Sequence, residues 1–438
     1  MTQAPANKGM RAFNIIWIGQ LFSLLGSELT GFALGIWVYQ NTGSVTQFAL
    51  ISFFTIIPGL VLSPIIGALV DRWNRRRIMI FSDTGAALST LFIAVLLWGG
   101  QLETWHIYLA TIITSTLSAF QNPTYMAAIT LMVPKKQLGR ANGMVQMALA
   151  ISQLVAPVVA GILVDTIQIR GVILVDFATF LFAILTLLMV RIPDHKPKLG
   201  EGEEEEKRSI WQDVVFGWRY ITERPGILAL LIFFSFAGFL VGIVSVLATP
   251  LVLSFASASV LGTVLSISAT GMLAGAAAMS ALGGLKRHIY GVLGFSLWLG
   301  VCLVLVGLRP SAVLVAIGGW AFFFALPIVN ASATAIMQIK IEPDVQGRVF
   351  AFRRMISGGA IPIAYLISGP LADYIFEPLM AQEGPLAGSV GQIIGTGDGR
   401  GIALLFIVAG IFLVVLTAGG FLYQPLRFIE DRLPDVIM

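Results

Sequence analysis

The chain has 438 residues, 57% of them hydrophobic and only 11% charged, with a net charge of +4 and a mean hydropathy of +0.88. Ordinary soluble domains carry about 25% charged residues, so this composition excludes a water-soluble globular fold. The basic balance, which would suggest nucleic acid in a soluble protein, here falls in short breaks between apolar runs and is explained by membrane topology, with no nucleic-acid partner.

Twelve apolar runs follow one another, at about 12–40, 47–71, 78–99, 105–133, 140–166 and 171–190, then 226–253, 259–283, 289–307, 312–341, 348–375 and 401–423. Each is long enough to cross a ~30 Å hydrocarbon layer as a helix, which takes roughly 20 residues. Threading them alternately from a cytoplasmic N-terminus leaves only Arg170, Arg309 and Arg400 outside, so 24 of the 27 Lys and Arg fall on the cytoplasmic side or membrane edge. Enrichment of cations on that face orients inserted helices. The expectation is an all-α, multi-pass membrane protein with both termini cytoplasmic. The first run has no small-residue cleavage site and reads as a retained helix and not as a signal peptide.

Three domains are expected: a six-helix bundle over 1–190, a cytoplasmic linker over 191–225, and a second six-helix bundle over 226–438. The linker carries the run Glu203 to Glu206 and is too polar to fold alone. From Ser209, the residues Ile210, Trp211, Val214, Val215, Trp218 and Ile221 recur at helical spacing, and Ser209 with Gln212 fits a capping box. This predicts an amphipathic helix on the inner leaflet. The longest external loop is expected at 377–400.

The halves match at an offset of 208 residues: Asn122 with Asn330, Arg140 with Arg348, Gly161 with Gly369, Leu163 with Leu371, and Asp165 with Asp373. Such a repeat is expected where two bundles rock about a central site and expose it alternately to each side. It favours a transporter over a membrane enzyme.

The segment Gly67-Ala-Leu-Val-Asp71-Arg72-Trp-Asn74-Arg75-Arg76-Arg77 follows the second run. It resembles the Gly-x-x-x-Asp-Arg-x-Gly-Arg-Arg loop of the major facilitator superfamily, with Asn74 in place of the second glycine. The resemblance implies a gating group of Asp71, Arg72, Arg75 and Arg76, with Asp71 facing the eleventh helix near Arg348. Arg140 joins this set as the repeat partner of Arg348. Asn tolerates left-handed backbone better than other non-glycine residues, which would keep the turn. Asp83, near the inner start of the third helix, is expected to pair with Arg72 or Arg76.

In the fifth helix, Gly143, Ser152 and Ala156-Pro157-x-x-Ala160-Gly161 follow the spacing of the family's antiporter motif, which implies export. Small residues at such spacing let helices pack closely. The fourth helix departs from the family pattern: Gln121, Asn122 and Pro123 stand where proton-coupled members often carry an arginine. With Gly43-Ser-Val-Thr46 and Ser63-Pro64, the N-terminal half looks most like the bacterial macrolide-efflux and siderophore-export branch. What the resemblance implies is a twelve-helix fold with a cavity lined by helices 1, 4, 5, 7, 8, 10 and 11.

Ionisable residues inside such helices are costly and mark functional candidates. Glu28 lies midway along the first helix, on one arc with Gln20, Ser23, Ser27 and Gly31, and is the first candidate for ion coupling, followed by Asp176 in the sixth. Candidate substrate contacts are Gln20, Gln121, Asn122, Gln153, Asn330 and Gln338. No catalytic cluster or nucleotide-binding loop appears. Neither a cofactor nor a metal is expected, since Cys302 is alone and His106, His195 and His288 are scattered. The reading is a secondary active transporter, not an enzyme. It exports an amphipathic or hydrophobic small molecule, drug or siderophore-like, by proton antiport, as a monomer among membrane lipids. A lipid or lysophospholipid flippase of the same fold, a membrane-embedded transferase and a non-transporting sensor stay open as alternatives.

Overall fold

A computed structural model describes residues 6–134, 137–190, 219–282, 285–341 and 358–434, except the side chains of 6–8, 63–65, 67–72, 139 and 282. The described residues form twelve long helices. The first four are α1 (Ala6–Thr42), α2 (Val45–Arg72), α3 (Arg75–Trp98) and α4 (Thr104–Met132). Helices α5 and α6 share the span Leu138–Met189 and are divided at Gln168, where the backbone turns to φ 58° and ψ 175°. The loop expected over 167–170 is thus a single non-helical residue. The rest are α7 (Pro225–Leu253), α8 (Ala258–Leu282), α9 (His288–Leu308), α10 (Ala312–Lys340), α11 (Gly358–Met380) and α12 (Arg400–Leu422). The linker to Trp218, with most of its expected amphipathic helix, lies outside the described residues.

Contacts divide the chain into two compact units, residues 1–201 with 258–263, and residues 202–257 with 264–438. Both expose large apolar side chains that water would penalise and lipid would not, among them Phe81 at 71% and Leu422 at 83%. So many exposed large apolar side chains are foreign to soluble monomers. Trp98 and Trp105, at facing ends of α3 and α4, are also exposed, as expected of aromatic rings at a membrane interface.

In the first unit two apolar clusters bracket a polar middle. One joins Phe13 and Ile16 of α1 to Met79, Tyr125, Ile129 and Leu187. The other joins Leu34 and Val38 of α1 to Ile93, Ile107 and Ile173. Asn74 does not adopt the left-handed backbone expected of a glycine substitute. It is extended (φ −65°, ψ 114°), and its Oδ1 accepts from Arg77 N at 3.0 Å. An asparagine at this position caps a helix, so it sets where α3 begins.

In the second unit, Tyr220, Ile227, Leu230, Leu293, Ile336 and Leu426 belong to one apolar cluster. Glu430 accepts from the first amides of α9, His288 N at 3.1 Å and Ile289 N at 3.0 Å, where a carboxylate suits the positive helix end. α11 does not stop at 375. Its last turns widen to a π-helical stretch, Leu371–Phe376, and helix continues to Met380, so the expected loop 377–400 begins four residues later. Residue 376 is the repeat partner of Gln168, where α5 breaks. The two repeats therefore end the same helix differently.

Candidate functional site

Three of the expected polar residues converge halfway along the first unit. Gln20 Nε2 donates to Asp83 Oδ2 at 2.9 Å, Gln121 Nε2 donates to Asp83 Oδ1 at 2.7 Å, and the same Nε2 donates to Gln20 Oε1 at 2.8 Å. Asp83 is fully buried. It does not pair with Arg76 as expected, because Arg76 donates from Nε and Nη2 to the carbonyls of Leu187 and Leu188 at 3.1 and 2.9 Å. Arg75 likewise turns to the Ala127 carbonyl at 3.2 Å. Arg76 thereby closes the end of α6, whose last carbonyls have no partner within their own helix, Arg75 is held on an interior carbonyl of α4, and the carboxylate is left to amides.

A second buried acid stands two turns along α3. Asp176 of α6 is 1% exposed, and its Oδ2 accepts from Thr90 Oγ1 at 3.2 Å. Thr30 of α1 lies beside it, yet neither Thr30 Oγ1 nor Asp176 Oδ1 completes a hydrogen bond. Thr30 and Thr90 were not among the expected residues. Their signal was present, since Thr30 shares with Ser23 the buried face of α1, but a threonine in a membrane helix usually bonds its own backbone and draws no notice.

The remaining candidates point elsewhere. Glu28 and Ser27 are exposed, Gly31 has no atom within 4 Å of a Cβ built on it, and Asn122 and Gln153 are exposed too. The arc read from α1 is therefore split: Gln20 and Ser23 turn into the bundle, while Ser27, Glu28 and Gly31 stay open. In the second unit Asn330 and Gln338 of α10 are exposed. Arg140 is exposed, the side chains of Asp71 and Arg72 are not described, and Arg348 lies outside the described residues.

Within the first unit, the small residues of the antiporter-like motif receive the opening turn of α8. A Cβ on Gly161 would stand 2.6 Å from the Ala258 carbonyl oxygen, and Asp165 Oδ2 accepts from Ser259 N at 3.3 Å. A cavity of about 380 Å³ in the second unit is lined by Asp373, Glu377, Gln382 and Asp398 among others. Glu377 Oε1 there accepts from Ile402 N at 3.0 Å, and Arg400, 4% exposed, donates to the Ile394 carbonyl at 3.1 Å. Among the described residues no group of three or more His, Cys, Asp or Glu could hold a metal ion.

The family model described as Major Facilitator Superfamily matches residues 16–365. The chain belongs to the major facilitator superfamily. As a member it is a transporter and not an enzyme. It is 28% identical over 379 residues to a macrolide efflux protein A of Streptococcus pyogenes, covering 83% of this chain and 90% of that one. It is 25% identical over 390 residues to the multidrug efflux pump Tap of Mycolicibacterium fortuitum, covering 82% and 88%. A crystal structure of a bacterial homologue of the human lysosomal transporter Spinster, inward-facing and unoccupied, superposes with a TM-score of 0.71 over 98% of this chain and 99% of that one. At 14% identity that likeness concerns the fold alone, and the fold is the twelve-helix one expected.

Proposed function

We propose that this facilitator exports an amphipathic or hydrophobic small molecule from the bacterial cytoplasm or inner leaflet in exchange for protons, as a monomer with both termini cytoplasmic. The observation that carries export is the relation over most of both chains to proteins named for macrolide and multidrug efflux. Supporting it are exposed polar side chains on long apolar helices of each unit. Glu28, Asn122 and Gln153 on the first and Asn330 and Gln338 on the second are the substrate contacts of this reading, with Glu28 able to meet a cationic substrate or exchange a proton with water. Asp176 is its second ion-coupling residue. Asp71, Arg72, Arg140 and Arg348 are its gate, held by charge at helix ends. Gln20 and Gln121 leave the substrate set, since their amides are committed to Asp83.

The test uses everted membrane vesicles containing the full chain, with erythromycin as the probe. An imposed gradient, acid inside, should drive its accumulation, and nigericin should abolish it. Accumulation of erythromycin that ignores both treatments would remove proton antiport from the reading. Absence of accumulation for erythromycin and for ethidium alike would remove drug export.

A further inference from the structure

We propose that Asp83, held by Gln20 and Gln121, is a proton-binding switch that changes how α4 is tied to α1 and α3. The proposal rests on the antiport reading but is carried by geometry of its own. Each Asp83 oxygen accepts from an amide: Oδ2 from Gln20 Nε2 and Oδ1 from Gln121 Nε2. Gln121 Nε2 has a second acceptor in Gln20 Oε1, so both of its hydrogens are in use. This arrangement suits an ionised carboxylate, which can only accept.

A proton arriving on either oxygen makes that oxygen a donor facing a donor. One amide must then turn over and offer its Oε1. If Gln20 turns, its Nε2 faces the Nε2 of Gln121. If Gln121 turns, its Nε2 leaves both acceptors. In either case the Gln20–Gln121 bond is lost, so one proton rewires the contact of three helices.

No cation among the described residues offsets the charge. From α3 itself, Arg75 and Arg76 are spent on the carbonyls of Ala127, Leu187 and Leu188. From α4, the nearest titratable group is Tyr125, one turn from Gln121, a buried hydroxyl without a hydrogen-bond partner. From α6 it is Asp176, reached through Thr90. α1 presents Gln20 at this level, and its Glu28 stays on the open side. The rewired turn of α4 is also its softest. Pro123 has no N–H, so the bond to the Ala119 carbonyl is missing, and Asn122, a proposed substrate contact, lies between Gln121 and this proline.

The experiment is an infrared titration of the full-length protein in liposomes, following the C=O band of protonated carboxyls from acid to alkaline pH. Asp83→Asn should remove one titrating component. Gln121→Leu should keep that component but move its midpoint by about one pH unit or more, a tenfold change in proton affinity. An Asp83 that kept one protonation state over this range would leave no component to remove or to move. If Asp83→Asn does not insert, Gln121→Leu and Gln20→Leu decide alone. A band unchanged in Asp83→Asn, or a midpoint unchanged in both leucine variants, overturns the proposal. The infrared measurement needs neither substrate nor gradient. Loss of gradient dependence in efflux, which refutes antiport, is therefore read separately from a titration that misses Asp83.

Discussion

Gly26 makes room for Asp176: a Cβ built on it would stand 2.7 Å from Asp176 Oδ1 and 2.1 Å from Thr179 Oγ1. The buried carboxyl of α6 thus abuts the backbone of α1 where no other residue type fits. Gly31, five residues on, has open space around it. Gly26→Ala should destabilise the protein by about 1–3 kcal/mol through overpacking. Gly31→Ala should be neutral or stabilise by up to about 1 kcal/mol, as replacing a helical glycine does. Unfolding of both variants in detergent measures the difference, and equal stabilities would contradict this packing.

The antiporter-like motif should divide in the same way. Gly161→Leu meets the Ala258 carbonyl, and Gly262→Ala would place a Cβ 2.1 Å from the Pro157 carbonyl oxygen. Gly143, the first residue of the motif, has nothing within 4 Å. Efflux of erythromycin should fall sharply in the first two and survive in Gly143→Ala. Full activity in Gly161→Leu would show that the spacing imposes no packing constraint.

What the sequence made legible was whatever depends on hydropathy and spacing. Twelve apolar runs give twelve helices because a membrane-spanning backbone must satisfy its own hydrogen bonds, and helix length follows from the hydrocarbon thickness. The loop after α2 was legible as a family motif, but the role of Asn74 was not, since capping and left-handed turns favour the same residue type. The break at Gln168 was also hidden: the apolar pattern runs through it, and only the backbone turns. For the candidate site, sequence could place Gln20, Asp83 and Gln121 inside helices and could not say that they meet. Which of two faces of a helix turns inward depends on its neighbours, and the arc on α1 shows it, with Gln20 inside and Glu28 outside.

Glu377 should matter for stability more than for transport. Its carboxylate accepts from the amide of Ile402 in the first turn of α12, so Glu377→Ala removes both a cap and a charge at a positive helix end. The expected loss is about 1–2 kcal/mol, and Glu377→Gln, which keeps an acceptor, should lose less. Denaturant titration in micelles checks this. An alanine variant as stable as the parent would leave Glu377 without a capping role.

Orientation can be read with single cysteines. In a Cys302→Ala background, Glu205→Cys should resist an impermeant thiol reagent on intact cells, while Gln392→Cys, at an exposed position, should react. The proposed inside placement of the cation-rich breaks requires this result. The opposite labelling would invert the topology.

Glu28→Gln tests whether the open acid of α1 meets charge. Glu28 lies midway along α1 yet is exposed, with Ser27 beside it and Gly31 leaving a gap one turn away. A carboxylate kept accessible in a membrane helix is costly and is retained where it meets a cation, a proton or water. Glutamine keeps the size and an acceptor but cannot be charged. Export of ethidium, a cationic amphipath, should therefore fall about tenfold or more, equivalent to about 1.4 kcal/mol of lost interaction. Export of an uncharged compound of similar size should change little. The pH profile separates the two roles left to Glu28. If it only recognises cations, the dependence on an imposed gradient persists for the uncharged compound, carried by Asp83 and Asp176. If it carries the exchanged proton, that dependence is lost for both compounds. Ethidium export at the parental rate, with the parental pH profile, would make Glu28 a bystander of the open face.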